Sequence, residues 1–195
     1  MINFKIILNV LGYLLVALSI LLIVPIIIDL ISGNESWKSF LISLIITLGF
    51  GVTFLLSTRN ELKNKILTQD AFLITTLSWI FISIFGALPF FFLDSSLSLT
   101  NSIFESMSGI TTTGSTIFNE VENLPQGILI WRSILQWVGG VGIIVMAVSI
   151  LPVLQVGGMQ VFRTESSDTT DKILPRTTQV ASAVILIYIL SLIHI

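Results

Sequence analysis

Five stretches of this chain, 19 to 30 residues long, carry no ionised side chain: 6–28, 39–58, 71–93, 133–162 and 177–195. An ionised group at mid-bilayer costs about 2.5–3.5 kcal/mol or more, so such runs mark what can sit in lipid. Each reaches the roughly 18 residues that a helix needs to cross. They lack strand alternation, and a lipid-spanning barrel would need ~10-residue alternating segments, so helices are expected. The first run exceeds the usual 7–15-residue signal core and no small-x-small site follows Pro25, which predicts a retained helix.

Charged residues make up 10% of the 195 residues and hydrophobic residues 54%, against roughly 25% charged in a soluble domain. Twenty charges cannot cover a soluble surface of this size. That composition excludes an ordinary soluble enzyme, a disordered chain and a nucleic-acid binder, which would need a basic stripe. Cysteine is absent, which removes disulfides, zinc-thiolate sites and thiol nucleophiles. No carboxylate pair or nucleophile–base arrangement is visible, so no enzymatic activity is expected. Gly139-Gly140-x-Gly142 follows no strand and does not read as a nucleotide loop.

Lys5, Arg59, Lys63, Lys65, Arg163, Lys172 and Arg176 fall on one side of the membrane, and Lys38 and Arg132 on the other. Seven against two predicts five crossings from a cytoplasmic N-terminus. The segment 94–126 then lies outside with no Lys or Arg, and its Asp94, Glu105, Glu120 and Glu122 would form an acidic vestibule that concentrates cations.

A sixth charge-free run, 106–119, is too short to cross and rich in Ser and Thr, as re-entrant segments are. Ile103, Phe104 and Met107 share one helical face, which predicts a short helix over 101–108 with Thr100 or Asn101 as N-cap and Gly109 as its stop. Thr111-Thr112-Thr113-Gly114-Ser115-Thr116 follows. Irregular backbone is tolerated at membrane depth only where protein buries it or water lines it, and ion filters use that exception, with carbonyls replacing a cation's hydration shell. Gly114 permits the positive φ that turns consecutive carbonyls one way, and the preceding helix aims its partially negative end at the ion. An all-oxygen site suits a hard monovalent cation. Taken alone, the six residues also read as a surface turn.

The order of several strings resembles the Trk/Ktr family of potassium transporters, in particular its bacterial TrkH-type membrane subunit. They are Gly86-Ala87-Leu88-Pro89-Phe90, then Phe104-Glu105-Ser106-Met107-Ser108-Gly109-Ile110-Thr111-Thr112-Thr113-Gly114, then Trp131-Arg132-Ser133-Ile134-Leu135-Gln136-Trp137-Val138-Gly139-Gly140-Val141-Gly142. Ile150-Leu151-Pro152, Val156-Gly157-Gly158-Met159-Gln160 and Phe162-Arg163-Thr164-Glu165 continue the likeness. The resemblance implies an all-α integral membrane fold with four helix–pore loop–helix repeats around one pore. Residues 1–66 would be a leading two-helix hairpin, 67–165 the first helix–pore loop–helix repeat, and 166–195 the start of a second repeat, cut short. Thr111, Thr112, Thr113, Gly114 and Ser115 would form the first selectivity-filter strand, with K+ at Thr112, Thr113 and Gly114, and Glu105 would support the pore helix. Gly139, Gly140 and Gly142 would serve close packing, while Gln136 and Trp137 take no ion contact.

The function so implied is potassium uptake across the bacterial inner membrane, multi-pass, with K+ as cargo and no organic cofactor. The implied partners are membrane lipid, a second copy of the full-length protein and a cytosolic nucleotide-binding regulatory subunit, with no nucleic acid. One filter strand cannot ring an ion, so this N-terminal part alone is expected to conduct little or nothing. The alternative is a non-conducting membrane scaffold or shortened paralogue. His194, the one histidine, reads as an end effect rather than a ligand.

Overall fold

The computed structural model describes residues 3–58, 68–93, 97–154, 186–188 and 190, and among these it contains helices, turns and no strand. The helices are α1 (Phe4–Leu21), α2 (Ile23–Ser32), α3 (Trp37–Thr58), α4 (Thr68–Leu93), α5 (Leu99–Ile110) and α6 (Gln126–Leu154), with a 3-10 turn at Val121–Asn123. The chain divides into two compact units, Met1–Gly139 and Gly140–Ile195, and α6 runs from the first into the second. The 177–195 run lies outside the described residues except for helical positions 186–188 and 190, as do 155–162 of the fourth run.

The first apolar run is broken at Leu22, between α1 and α2. Pro25 accounts for the position: it offers no N–H to the carbonyl of Leu21, and its ring crowds that carbonyl. α2 ends at Gly33, whose φ of 71° is left-handed, and the Asn34 N–H returns to the Asp29 carbonyl at 3.0 Å.

The polarity of this fold is inverted relative to a soluble protein. Ile31, Leu56 and Ile45 face outward, while Asp29, Ser43, Thr47, Asp70 and Glu105 are buried. A broad apolar exterior of this kind matches lipid or further protein. Among the described residues, three helical segments, Phe4–Ser32, Trp37–Thr58 and Gln69–Leu93, are long and apolar enough to cross a membrane.

In lipid the burial of leucine against leucine drives little association, so close packing and polar contacts decide which helices meet. At the α1–α3 crossing the contact is made by Gly12 and Gly51. A Cβ on Gly51 would lie 3.0 Å from Val16 Cγ2 and 3.2 Å from the Gly12 carbonyl, and one on Gly12 would lie 3.1 Å from the Gly51 carbonyl. Nearby, buried Asn9 donates to Thr58 Oγ1 at 2.8 Å. α4 joins this hairpin through Ser39 Oγ, which donates to the Phe92 carbonyl at 2.9 Å, and through the Phe50–Phe85 contact at 5.3 Å. Trp131 of α6 is fully buried. It meets Phe40 edge-on and donates from Nε1 to the Gly86 carbonyl at 3.0 Å.

The helices extend past the charge-free runs. Asp29 lies in the last turn of α2, Asp70 in the first turn of α4 and Arg132 inside α6, and each is hydrogen-bonded or ion-paired.

Gly49 and Gly51 make a paired test of the crossing. Gly49→Ala meets no atom within 4 Å and should be neutral or stabilising by up to about 1 kcal/mol, the helix preference of Ala over Gly. Gly51→Ala should destabilise by about 1–3 kcal/mol through overpacking. Thermal unfolding of the two variants in detergent micelles checks the difference in sign.

Candidate functional site

The loop 111–116 is carried by α5. Ser98 caps that helix, its Oγ accepting from the Asn101 N–H at 3.2 Å, so α5 starts earlier than the Thr100 or Asn101 cap would allow. At its other end α5 passes through Gly109 and stops at Ile110. Gly109 is not a stop; it gives α6 room, since a Cβ there would lie 3.2 Å from Leu135 Cβ. Gly86 does the same from α4, where a Cβ would lie 2.7 Å from Ser106 Oγ and 3.1 Å from Leu135 Cδ2. Gly139 lets α6 pass against the Ile110 carbonyl at the very end of α5, where no Cβ could fit.

In the other unit, Gly140 faces the Tyr188 hydroxyl at a spacing that excludes a Cβ. Gly142 has no described atom within 4 Å of where its Cβ would stand, so the close-packing expectation does not extend to it. Gln136 is exposed, and Trp137 Nε1 is buried with no hydrogen-bond partner among the described residues.

Thr111, Thr112, Thr113, Gly114 and Ser115 leave the C-terminus of α5 and are all exposed. The Thr112 N–H bonds the Gly109 carbonyl at 2.9 Å and the Thr113 N–H the Ser108 carbonyl at 3.0 Å, which folds the chain back over the helix end. Thr111 Oγ1 donates to the Met107 carbonyl and lies 2.8 Å from Thr113 Oγ1. Ser108 Oγ donates to the Ser115 carbonyl at 2.5 Å. Two residues of the loop have positive φ: Thr112 at 56° and Gly114 at 80°. The second needs glycine for its backbone alone, since nothing lies within 4 Å of a Cβ there. The first is a β-branched residue in a left-handed conformation, a true outlier costing about 1–3 kcal/mol that persists only where the surroundings impose it.

The exit of the loop is held by Glu105. Its side chain is 1% exposed and its Oε1 lies 2.8 Å from Nε of Arg132, whose side chain is 15% exposed. The same carboxylate accepts from Thr116 Oγ1 at 3.1 Å and from the Ile117 N–H at 2.9 Å. Thr116 Oγ1 in turn accepts from the Phe118 N–H at 3.2 Å. One buried carboxylate therefore fastens the exit of the loop to α5 and pins α6 beside it.

This arrangement revises the expected acidic vestibule. Glu105 is buried and neutralised by Arg132, and Asp94 lies outside the described residues; Glu120 and Glu122 remain exposed. Arg132, read from sequence as a topology determinant, was the missed partner. The available signal was that Glu105 and Arg132 are lone charges in otherwise uncharged stretches, 97–119 and 123–162, and lone opposite charges at membrane depth are expected to pair.

Removing one partner of a buried pair leaves a charge uncompensated, at a cost of about 3–5 kcal/mol. Arg132→Met should therefore destabilise strongly, and Glu105→Gln/Arg132→Met should recover a large part of the loss. Unfolding midpoints of the two single variants and the double variant give the coupling; strictly additive losses would remove the pair from its central role.

The geometry can be set beside known proteins. A sequence profile of the TrkH family, described as cation transport protein, matches residues 36–195. The Trk system potassium uptake protein TrkI of Halomonas elongata is 44% identical over 183 residues, covering 93% of this chain and 37% of that protein. The Trk system potassium uptake protein TrkH of Escherichia coli K12 is 39% identical over 191 residues, covering 96% of this chain and 39% of its own length. The crystal structure of the potassium transporter TrkH from Vibrio parahaemolyticus superposes with a TM-score of 0.77 at 34% identity, over 96% of this chain and 37% of that one. The chain thus spans between a third and two fifths of the relatives it matches. The match to the profile runs through α3, α4, α5 and α6, and the chain belongs to the TrkH family of cation transport proteins.

Proposed function

We propose that this chain supplies the first selectivity-filter strand of a Trk-type potassium uptake transporter, with K+ held by backbone carbonyls of Thr112, Thr113 and Gly114 within the strand 111–115. The observation that carries this reading is the exposed loop at the C-terminus of α5, with positive φ at Thr112 and Gly114 and none at Thr111, Thr113 or Ser115. Positive φ at alternate residues allows neighbouring carbonyls to turn toward one side, and oxygen ligands without charge suit a large monovalent cation. The helix end behind the loop adds about half a negative charge.

A closed ring of carbonyls needs more than one strand, so the remaining strands come from the rest of the complete transporter. In this reading residues 1–66 are a leading hairpin, 67–165 the first helix–pore loop–helix repeat and 166–195 the start of the next. The N-terminus is cytoplasmic in a bacterial inner membrane, on the side favoured by the basic residues. The complete protein pairs with a second copy and is gated by a cytosolic nucleotide-binding subunit.

In the complete transporter, Gly114→Ser should lower the preference for K+ over Na+ by about tenfold, because a side chain in the left-handed region costs about 1–2 kcal/mol per residue. Competitive rubidium and sodium uptake into cells lacking other potassium systems measures this. An unchanged preference would overturn the assignment of 111–115 to the filter.

A further inference from the structure

Asp29 has no part in the filter reading, yet it is a fully buried carboxylate at the end of α2. Its Oδ1 accepts from the Gly127 N–H at 2.7 Å and its Oδ2 from Ser36 Oγ at 2.6 Å, with Asn34 Nδ2 at 3.4 Å. Gly127 is the second residue of α6, where backbone N–H groups have no partner within the helix and the helix dipole favours an anion. Gly127 is a glycine because the carboxylate occupies the space of its Cβ. Three residues beyond Asp29, Ser32 Oγ donates to Oε1 of Gln126, the first residue of α6, at 2.6 Å. The α2–α3 corner thus grips the start of α6 at two successive residues.

From Gly127 to Arg132 is five residues, roughly 7.5 Å along a helix rising 1.5 Å per residue. Trp131 and Arg132, on this first stretch of α6, reach the Gly86 carbonyl and the Glu105 carboxylate. A one-residue slip of α6 would rotate both side chains by about 100°, as 3.6 residues per turn requires. It would separate Arg132 from Glu105, and Glu105 holds the Ile117 N–H and Thr116 Oγ1 behind the loop.

We propose that Asp29 is a positioning residue for the loop 111–115: by clamping the N-terminus of α6 it sets the register of Arg132 on Glu105, and so makes the leading hairpin a brace for the first pore loop. The inference rests on the filter reading only for what the loop does; the mechanical link from Asp29 to the loop stands apart from it.

The test is amide hydrogen exchange across 111–118 in the complete transporter in lipid nanodiscs, comparing the parent protein with Asp29→Asn, Asp29→Ala and a control. Asn9→Ala is the control, since it removes the Asn9–Thr58 bond within the same hairpin without touching α6. Exchange in the loop should rise about threefold in Asp29→Asn and about tenfold in Asp29→Ala, the range expected from losing a charged and then any acceptor. It should stay at the parent rate in Asn9→Ala even where that variant melts earlier. The K+ over Na+ preference should fall in the same order. If Asp29→Ala does not fold, Asp29→Asn carries the test. Loop exchange unchanged in the Asp29 variants that fold, or raised equally in Asn9→Ala, overturns the proposal. A parent protein without K+ preference counts against the filter reading, while the exchange result still decides the brace.

Discussion

A charge inside a lipid-facing protein has to find its opposite, and the Glu105–Arg132 pair shows how much structure that requirement organises. Each partner alone would cost several kcal/mol at this depth. Together, at 2.8 Å, they join the short α5 to the long α6. The geometry leaves carboxylate lone pairs free, and these take the Ile117 N–H and Thr116 hydroxyl. An ion pair therefore doubles as the anchor of an irregular loop. The exposed Glu35–Lys38 pair on the α2–α3 turn is the contrast. It has the same 2.8 Å separation, and the Lys38 ammonium lowers the Glu35 carboxyl from its ordinary pKa, yet both groups stand in the open. Such pairs contribute little to a fold. Burial and additional hydrogen-bond donors, not distance, separate the two cases.

The pair works only if α5 and α6 approach closely, and small residues set that approach. Gly86 and Gly109 each leave a gap that the Leu135 side chain of α6 fills, and Gly139, on α6 itself, leaves one for the end of α5. At Gly139 the contact is with the Ile110 carbonyl, the last residue of α5 before the loop. The glycine-rich stretch of α6 is thus not uniform: Gly139 is steric at the base of the loop, Gly140 accommodates a tyrosine hydroxyl, and Gly142 faces no described atom within 4 Å. Helices in lipid gain little from burying one more leucine, so these gaps, with the Trp131–Gly86 hydrogen bond, decide the packing.

The helices and the loop were legible in the sequence for one reason: in a membrane, missing charge is visible over twenty residues at a time. The same reasoning hid the anchors. The charge-free runs stop short of Asp29, Asp70 and Arg132, yet all three are helical: Asp29 in the last turn of α2, Asp70 in the first turn of α4 and Arg132 inside α6. Glu105 was placed in the pore helix by resemblance, but its partners on α6 and beyond the loop are set by tertiary geometry. Gly114 could be read as a residue needing positive φ because glycine advertises it. Thr112 could not, because nothing in a threonine announces a left-handed backbone.

Thr112 also explains why the loop needs so rigid a frame. A β-branched residue at φ 56° returns to an ordinary conformation wherever its neighbours yield. Here the two residues before Gly114 are tied back to α5 by the Gly109 and Ser108 carbonyls, and Ser108 Oγ closes the far side on the Ser115 carbonyl. Those ties fix the loop only as firmly as α5 itself is fixed. α5 has twelve residues; its inner face packs against α4 and α6, while Phe104 and Leu99 face outward. Glu105 on Arg132 adds a polar tie to that packing, and Arg132 is placed by a helix whose first turn is held by Asp29. The strained backbone at the tip is the last link in a chain of polar contacts that begins at Asp29 on α2, and each link exists because an unpaired polar group at that depth would cost more than the order needed to pair it.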